Sequence, residues 1–316
     1  MTLYAVTGDA FARIEDGSTT KTLEGSGIQC LTRDPTDDDV VYVGGRGRGV
    51  WKSEDGGRSW SQLDFPQPDV FSLAVSPADG AVYAGCEPSM LFVSRDEGST
   101  WRELHALREI PSAPTWSFPP RPWTSHVRWI APSPHDADLL LAGIELGGVM
   151  RTEDGGETWA DHRPGAQPDC HALAWHPREK GRAYEAGGGG AAWSFDGGMT
   201  WQPADDGRDR HYTWALAVDP ADPDCWYVSA STGPFAAHTG RPAEAYVYRW
   251  RGEGPWQALD GGLPQPLDSM AYALAHREDM LLLGLSNGTL YESADAGDSW
   301  QELTVENPPP RLLALA

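Results

Sequence analysis

The stretch SEDGGRSW at residues 53–60 decides the fold because the chain repeats it. SRDEGSTW follows at 94–101, TEDGGETW at 152–159, SFDGGMTW at 194–201 and SADAGDSW at 293–300. The five copies share the frame Ser/Thr-x-Asp-x-Gly-x-x-Trp, and a recurring frame is the signature of a repeat architecture. The Asp can accept hydrogen bonds from turn amides, the Gly permits positive φ, and the Trp supplies a large ring. Each copy is therefore predicted to be a structural turn with its Trp packed beneath it.

The residues around each copy predict short strands. Each copy of the eight-residue frame is called a box below. Residues 27–64 predict, in order, a strand, an Asp/Pro turn, a strand, a Gly-rich turn, a strand, a box and a strand, and five later segments repeat this order. One of those segments lacks the Ser and Asp of the box but keeps Trp256 in place. The N-terminus supplies three strands without a first one, and RLLALA at 311–316 matches the missing first strand.

These segments predict one all-β domain over residues 1–316, a seven-bladed β-propeller of four-stranded blades. In each blade the strands are named a to d in order, and the box is the turn between c and d. The ring is predicted to close by pairing the C-terminal strand with the N-terminal blade, which leaves no exposed edge there. The predicted blades 1 to 7 are 1–24 plus 311–316, 28–64, 69–105, 126–163, 169–204, 212–260 and 270–304.

Composition narrows the function classes. The 316 residues carry 46 acidic and 24 basic side chains, a formal net charge of −22. The electrostatic field of such a negative charge repels nucleic acid and anionic membranes, so neither is an expected partner. No apolar run reaches the ~18 residues of a membrane helix. The N-terminal stretch lacks the features of a signal peptide, and the four cysteines lack metal-site spacing, so we expect a cytoplasmic protein with reduced thiols.

The boxes are those of the Asp-box, or bacterial neuraminidase, repeat, and the chain resembles the Asp-box β-propellers. That group includes sialidases, xyloglucan-active glycosidases, the photosystem II assembly factor and sortilin-type receptors. The resemblance implies the fold and leaves the activity open. Sialidases have six blades and a Phe/Tyr-Arg-Ile-Pro motif, whereas the nearest string here is FARI at 11–14 without the Pro. A classical sialidase is therefore not expected.

The predicted ring places a functional site at one end of its channel. Strand a lines the channel, the d–a and b–c connections lie on one face, and the boxes lie on the other. Two insertions, 106–125 and 230–245, both fall on the first face, and long connections in compact repeats are often functional. In the first insertion, Trp116, Phe118 and Trp123 form either a lid or stacking wall, or a Pro-rich bracket packed on the ring.

Polar residues concentrate where the a strands begin. The position of Phe71 is taken in the other blades by Gln29, Arg128, His171, Trp214, Tyr272 and Leu313. On strand b, the carboxylate of Glu185 stands where sister blades have apolar residues, so it needs a partner or a raised pKa. Strand alternation predicts His171 within reach of Glu185. The candidate catalytic residues are Glu185, His171 and Glu145. The candidate ligand-binding residues are Arg128, His126, Asp169, Glu87, Asp69, Tyr212, Trp214, Tyr272, Arg311, Trp116 and Trp123.

An ionisable sector facing an aromatic one favours a small polar ligand, such as a saccharide, bound at the channel mouth, with glycoside hydrolase-like or lyase chemistry. The alternatives are a non-catalytic scaffold or assembly factor that holds a protein partner on the same face, and solvated channel side chains without a chemical role. No cofactor is predicted, although His126, His171 and His211 on successive blades leave a divalent metal open. Arg46 and Arg48 form either an anion clamp or a flexible basic turn.

Overall fold

The computed structural model describes residues 2–118, 120, 124–277 and 279–316. Seven antiparallel sheets follow one another around a ring, which confirms the all-β seven-bladed propeller. In order a to d, the strands of blade 1 are Ala314–Leu315, Leu3–Val6, Phe11–Glu15 and Ser18–Thr22. The strands of blade 2 are Ile28–Arg33, Val41–Gly45, Gly49–Ser53 and Ser61–Gln62. The strands of blade 3 are Val70–Val75, Val82–Cys86, Leu91–Ser94 and Arg102–Glu103.

The remaining blades keep the same order. Blade 4 has strands Val127–Pro132, Leu140–Ile144 and Gly148–Thr152, and its strand d is reduced to one bridge between Arg151 and Ala160. The strands of blade 5 are Cys170–Trp175, Ala183–Gly187, Gly190–Ser194 and Gln202–Pro203. The strands of blade 6 are Tyr212–Val218, Cys225–Ser231, Tyr246–Arg251 and Gln257–Ala258. The strands of blade 7 are Ala271–Arg277, Met280–Leu285, Leu290–Ser293 and Gln301–Glu302.

In the part of the chain that the structure describes, helices occur at the two insertions, and the first helix begins one residue earlier than its insertion, at His105. The 3-10 helices His105–Glu109 and Ala113–Thr115 lie between blades 3 and 4, and the α-helix Pro234–His238 connects strands b and c of blade 6. Among the described residues, no helix has the length and apolar character needed to cross a membrane.

The last strand closes the ring as the sequence predicts. Ala314 and Leu315 pair with Val6 and Ala5 on strand b of blade 1. The backbone N–H of Leu313 also donates to the carbonyl of Val6 at 2.8 Å. Leu312 is fully buried against side chains of blades 7 and 1, so the closure is both a hydrogen-bonded and an apolar contact.

The box of blade 4 shows how each turn is held. One carboxylate oxygen of Asp154 accepts the Thr158 N–H at 2.9 Å and the Thr152 hydroxyl at 2.7 Å. The Thr152 hydroxyl oxygen in turn accepts the Gly156 N–H at 3.0 Å. Gly156 has φ +91°, and a Cβ there would lie 2.7 Å from the Leu104 side chain, so only glycine fits. The other four boxes repeat the Asp and hydroxyl contacts, as a structural turn requires.

Strand a of blades 2 to 7 carries a β-bulge near its start. In blade 5, Cys170 pairs with Gly187 and Ala172 pairs with the next residue, Ala186, so His171 is the extra residue. Bulges at the corresponding place contain Gln29, Phe71, Arg128, Trp214 and Tyr272. A bulge re-aims a side chain and breaks strict alternation of faces. The aligned row of variable residues is therefore a row of bulges around the channel.

Candidate functional site

A cavity of about 630 Å³ opens at the end of the channel where the a strands begin. Its walls come from strand a, the b–c turn of blade 2 and both insertions, on the face predicted for the site. This mouth cavity is lined by Gln29, Arg46, Phe71, Phe118, Pro120, His126, Arg128, Glu145, Tyr212, Trp214, Pro234, Phe235, His238, Thr239, Tyr272, Arg311 and Leu313. A second cavity of about 350 Å³, the channel cavity, shares Arg128 and Trp214 with it and adds His171.

The ionisable sector is organised around His126, which is fully buried. Its Nε2 lies 2.6 Å from Glu145 Oε2, and its Nδ1 lies 3.3 Å from Glu87 Oε2. The ring stacks on Phe71 with centroids 3.7 Å apart. The structure thus brings Glu87, His126 and Glu145 together from two neighbouring blades, with His126 between the two carboxylates.

Glu145 is an ionised carboxylate at neutral pH. Its burial favours the neutral acid, but the His126 hydrogen bond and the charge of Arg128 outweigh burial and lower the Glu145 pKa to about 2. The Arg128 Nε lies 3.6 Å from Glu145 Oε2. Glu145 can therefore act as a base, a hydrogen-bond acceptor or a ligand to a cation, and it cannot supply a proton as a general acid.

Arg128 links the ionisable sector to the aromatic one. Its guanidinium carbon lies 4.5 Å from the centre of the Trp214 ring, a cation–π contact across neighbouring parts of the mouth. Trp214 is also 5.5 Å from Tyr272, ring centre to ring centre. The predicted meeting of charged and aromatic residues thus occurs at one cavity.

The aromatic sector contains a residue that the sequence reasoning did not select. His238, at the end of the helix Pro234–His238, has Nε2 2.8 Å from the Tyr212 hydroxyl and Nδ1 2.7 Å from the Tyr272 hydroxyl. Although the residue is exposed, desolvation of the ring and the neighbouring positive charge of Arg128 lower its pKa to about 4. The imidazole is therefore neutral at pH 7. Its only sequence signal was its place inside the insertion at 230–245.

The two acids at the starts of blades 3 and 5 hold turns. Asp69 accepts the Gly47 N–H at 2.8 Å, and Asp169 accepts the Leu146 N–H at 3.2 Å. Each hydrogen bond ties strand a of one blade to the b–c turn of the preceding blade. Neither acid lines the mouth cavity.

Glu185 does not share a site with His171. It is fully buried, accepts the Gln167 N–H at 2.9 Å, and lines neither cavity. Burial raises its pKa well above the usual range. Its strand neighbour Ala183 packs between blades 4 and 5, whereas the His171 ring contacts Tyr212 and Thr213 of blade 6. The expected proximity relied on strict alternation along strand a, and the bulge at His171 breaks that alternation.

The insertion at 106–125 has both a structural part and a cavity-lining part. Trp116 is buried, donates its Nε1–H to Ser112 Oγ at 3.1 Å and packs in the core between blades 3 and 4, as a bracket would. Phe118 lines the mouth cavity, with its ring centre 5.1 Å from that of His126. Trp123 lies outside the described residues.

Some of the predicted basic and histidine residues line the mouth cavity, and others do not. Arg46 and Arg311 line the mouth cavity, and both are exposed. Arg48 is exposed but not among the described lining residues, and its carbonyl accepts the Gln62 amide. His211 is exposed and is not part of the acid and histidine cluster described below.

These features define a seven-bladed β-propeller with BNR/Asp-box repeats, and the BNR/Asp-box repeat family model matches residues 192–203. The oligoxyloglucan-reducing end-specific xyloglucanase of Emericella nidulans is 24% identical over 293 residues, 78% of this chain and 34% of that protein. The photosystem II assembly lipoprotein Ycf48 of Synechococcus sp. is 26% identical over 127 residues, 39% of this chain and 34% of that protein. The chain thus spans about a third of the length of these curated relatives.

Solved structures show the same fold. The crystal structure of an ancestral GH74 enzyme matches with a TM-score of 0.69 and 18% identity, over 95% of this chain and 40% of that chain. Ycf48 bound to D1 peptide matches with a TM-score of 0.59 and 19% identity, over 89% of this chain and 84% of that chain. At these identities the likeness concerns the fold alone.

Proposed function

We propose that the protein binds a small acidic saccharide in the mouth cavity. The observation that carries this proposal is the lining itself, which combines aromatic rings with a few charged groups. Its volume of about 630 Å³ lies within the range of small-molecule sites, ~300–1,000 Å³. Trp214 and Tyr272 offer flat faces for the apolar side of a sugar ring, and Arg128 and Glu145 offer hydrogen bonds to hydroxyl groups.

The charges of the mouth favour an anionic ligand. Arg46, Arg128 and Arg311 are among the described lining residues, against one carboxylate, Glu145, which already pairs with Arg128. This is notable in a chain of net charge −22. A guanidinium can bind a carboxylate through two parallel hydrogen bonds, so a sugar acid fits this lining better than a neutral sugar.

The proposal also includes hydrolase-like chemistry at the mouth cavity. In it, the ionised Glu145, oriented by His126, takes a proton or stabilises positive charge, and Arg128 stabilises developing negative charge. Glu185 has no part in this proposal, because it is enclosed away from both cavities. Asp69 and Asp169 contribute by positioning the turns at the mouth.

The test compares matched neutral and acidic sugars, such as glucose and glucuronic acid and oligosaccharides that end in each, by calorimetry. We expect the acidic member to bind at least about tenfold more tightly, a difference that Arg128→Gln removes. Phe235→Ala should weaken binding as well, since Phe235 lines the mouth. Phe195→Ala is the matched control, because Phe195 is 48% exposed but lies in a box turn. Equal affinity for both sugars, or no binding of either, would contradict the proposal.

A protein partner on the same face is the second candidate function. Phe235 is 59% exposed at the rim of the mouth, where a partner could cover its ring. The chain also covers 84% of the Ycf48 structure with bound D1 peptide, compared with 40% of the ancestral GH74 enzyme. Selection from a displayed peptide library should then yield ligands that bind the Phe195→Ala variant and not the Phe235→Ala variant.

A further inference from the structure

We propose that His171, Asp169 and Glu145 bind one divalent transition-metal ion, with Zn²⁺ as the preferred ion. Each residue offers one ligand atom, and these three atoms all lie within 4.8 Å of one another. Glu145 lines the mouth cavity and His171 lines the channel cavity, so the site lies where the two meet. This proposal does not depend on the identity of the saccharide.

The imidazole of His171 carries the argument. Its Nδ1 lies 2.6 Å from the Thr213 carbonyl oxygen, and a carbonyl can only accept, so Nδ1 holds the hydrogen. Nε2 is therefore the ring nitrogen that is available to a metal ion. The residue is 1% exposed, and Nε2 has no hydrogen-bond partner among the described residues. It faces Asp169 Oδ2 at 3.3 Å, so the two atoms lie at the spacing of two ligands of one metal ion.

The two carboxylates are already oriented by other contacts. Asp169 Oδ1 accepts the Leu146 N–H, which leaves Oδ2 directed at His171. Glu145 is held through its Oε2 by His126. Metal ligands in proteins are commonly fixed in this way, with the second nitrogen of a histidine donating to a backbone carbonyl and the carboxylates hydrogen-bonded in turn.

The geometry and donor set favour Zn²⁺. Ligand atoms about 2.1 Å from a tetrahedral ion are about 3.4 Å apart, close to the 3.3 Å between His171 Nε2 and Asp169 Oδ2. The Glu145 ligand atom lies within 4.8 Å of both of the other ligand atoms. One imidazole with two carboxylates suits Zn²⁺ better than Mg²⁺ or Ca²⁺, which prefer oxygen ligands alone. Three protein ligands also leave a position open for water or a ligand oxygen.

The surrounding charges permit a cation. Glu145 and Asp169 are two carboxylate side chains, and Glu87 adds a third carboxylate beyond His126. Arg128 is the permanent positive charge in contact with Glu145, with its Nε 3.6 Å from Oε2, and its guanidinium carbon lies over Trp214. This guanidinium offsets part of the charge of Glu145. Among the described residues, no Lys or Arg forms an ion pair with Asp169.

Blade 3 provides a built-in comparison. Asp69 holds its b–c turn as Asp169 does, but the bulge residue that follows is Phe71 instead of His171. Blade 3 therefore has the acid and the turn contact without the nitrogen ligand. Asp→Asn at either position keeps an oxygen that accepts the turn amide and removes the negative charge, so Asp69→Asn is a matched control for Asp169→Asn.

The experiment titrates Zn²⁺ into chelator-treated, metal-free full chain and follows heat, with Co²⁺ absorption in the visible range as a report on ligand geometry. We expect one Zn²⁺ per chain in the wild type and in Asp69→Asn, and at least about tenfold weaker binding in Asp169→Asn. His171→Gln should weaken binding similarly. Melting temperatures measured in chelator show whether each variant is folded.

Two results would overturn the proposal. Folded wild-type protein that takes up no Zn²⁺ would show that the three side chains do not form a metal site. Unchanged Zn²⁺ affinity in either folded variant, Asp169→Asn or His171→Gln, would place the ion elsewhere on the chain. Neither result bears on sugar binding, which the calorimetry with matched sugars measures separately.

Discussion

Deletion of residues 312–316 should open the propeller ring and remove most of its stability. The deletion abolishes three backbone hydrogen bonds of 2.8 Å, from Leu313 to Val6 and in both directions between Tyr4 and Ala316. At about 1 kcal/mol each, they contribute about 3 kcal/mol. Burial of Leu312, which is fully buried, contributes a further ~2–3 kcal/mol. The loss of at least about 5 kcal/mol is comparable to the ~5–15 kcal/mol of a whole domain.

Urea unfolding followed by tryptophan fluorescence measures this loss, and size-exclusion chromatography detects association through the exposed strand edges. Leu312→Ala is a graded version that leaves the backbone pairing intact and should cost ~2–5 kcal/mol. Met199→Ala, at a side chain 46% exposed, serves as the control and should change little. A deletion variant that unfolds at the urea concentration of the wild type would show that the closing strand contributes nothing.

Two further predictions concern buried or capped carboxylates. Asp154→Ala should cost ~1–2 kcal/mol through its lost contacts to Thr158 and Thr152 and leave ligand affinity unchanged, as chemical denaturation and calorimetry can establish. Burial opposes ionisation of Asp154, but these hydrogen bonds prevail and lower its pKa to about 2. The stability that the Asp154 carboxylate contributes should therefore vanish as pH falls from ~4 to ~2. If the stability difference between wild type and variant persisted at pH ~2, the hydrogen-bonding role of the carboxylate would be contradicted. Glu185→Gln should be more stable than wild type by ~1–3 kcal/mol at about pH 8, with the difference shrinking towards about pH 4. The raised pKa of Glu185 means that wild-type stability is lost as pH rises; a variant less stable at high pH would show that the charge is needed.

Much of the fold follows from the sequence because its decisive contacts are local. An Asp-box turn is complete within eight contiguous residues, since the Asp154 carboxylate and the Thr152 hydroxyl bond to amides no more than four residues away. Reading the same frame five times indicates the repeat, and the likeness of 311–316 to the other a strands identifies the closing strand. The reduction of strand d in blade 4 to one bridge had no such local signal.

The site residues were harder to assign because bulges and insertions decide which side chains meet. Alignment found the row containing Arg128, His171 and Trp214, since equivalent positions in a repeat occupy equivalent places. It did not find the bulge that directs His171 towards blade 6 while Glu185 remains enclosed. Nor could it find His238, because a loop reaches its partners through three-dimensional packing without a fixed spacing.

The sequence by itself therefore determined the blade count, the box turns and the closure, all of which rest on hydrogen bonds between neighbouring residues or on repeated patterns. Only the tertiary structure showed that Asp169 and its counterpart Asp69 hold b–c turns and that Asp169 Oδ2 faces His171 Nε2. Both hold the same kind of turn, but His171 stands beside one and Phe71 follows the other. The physical reason is that a site depends on side-chain direction to within about an ångström, and that direction is set by bulge register and by packing between blades.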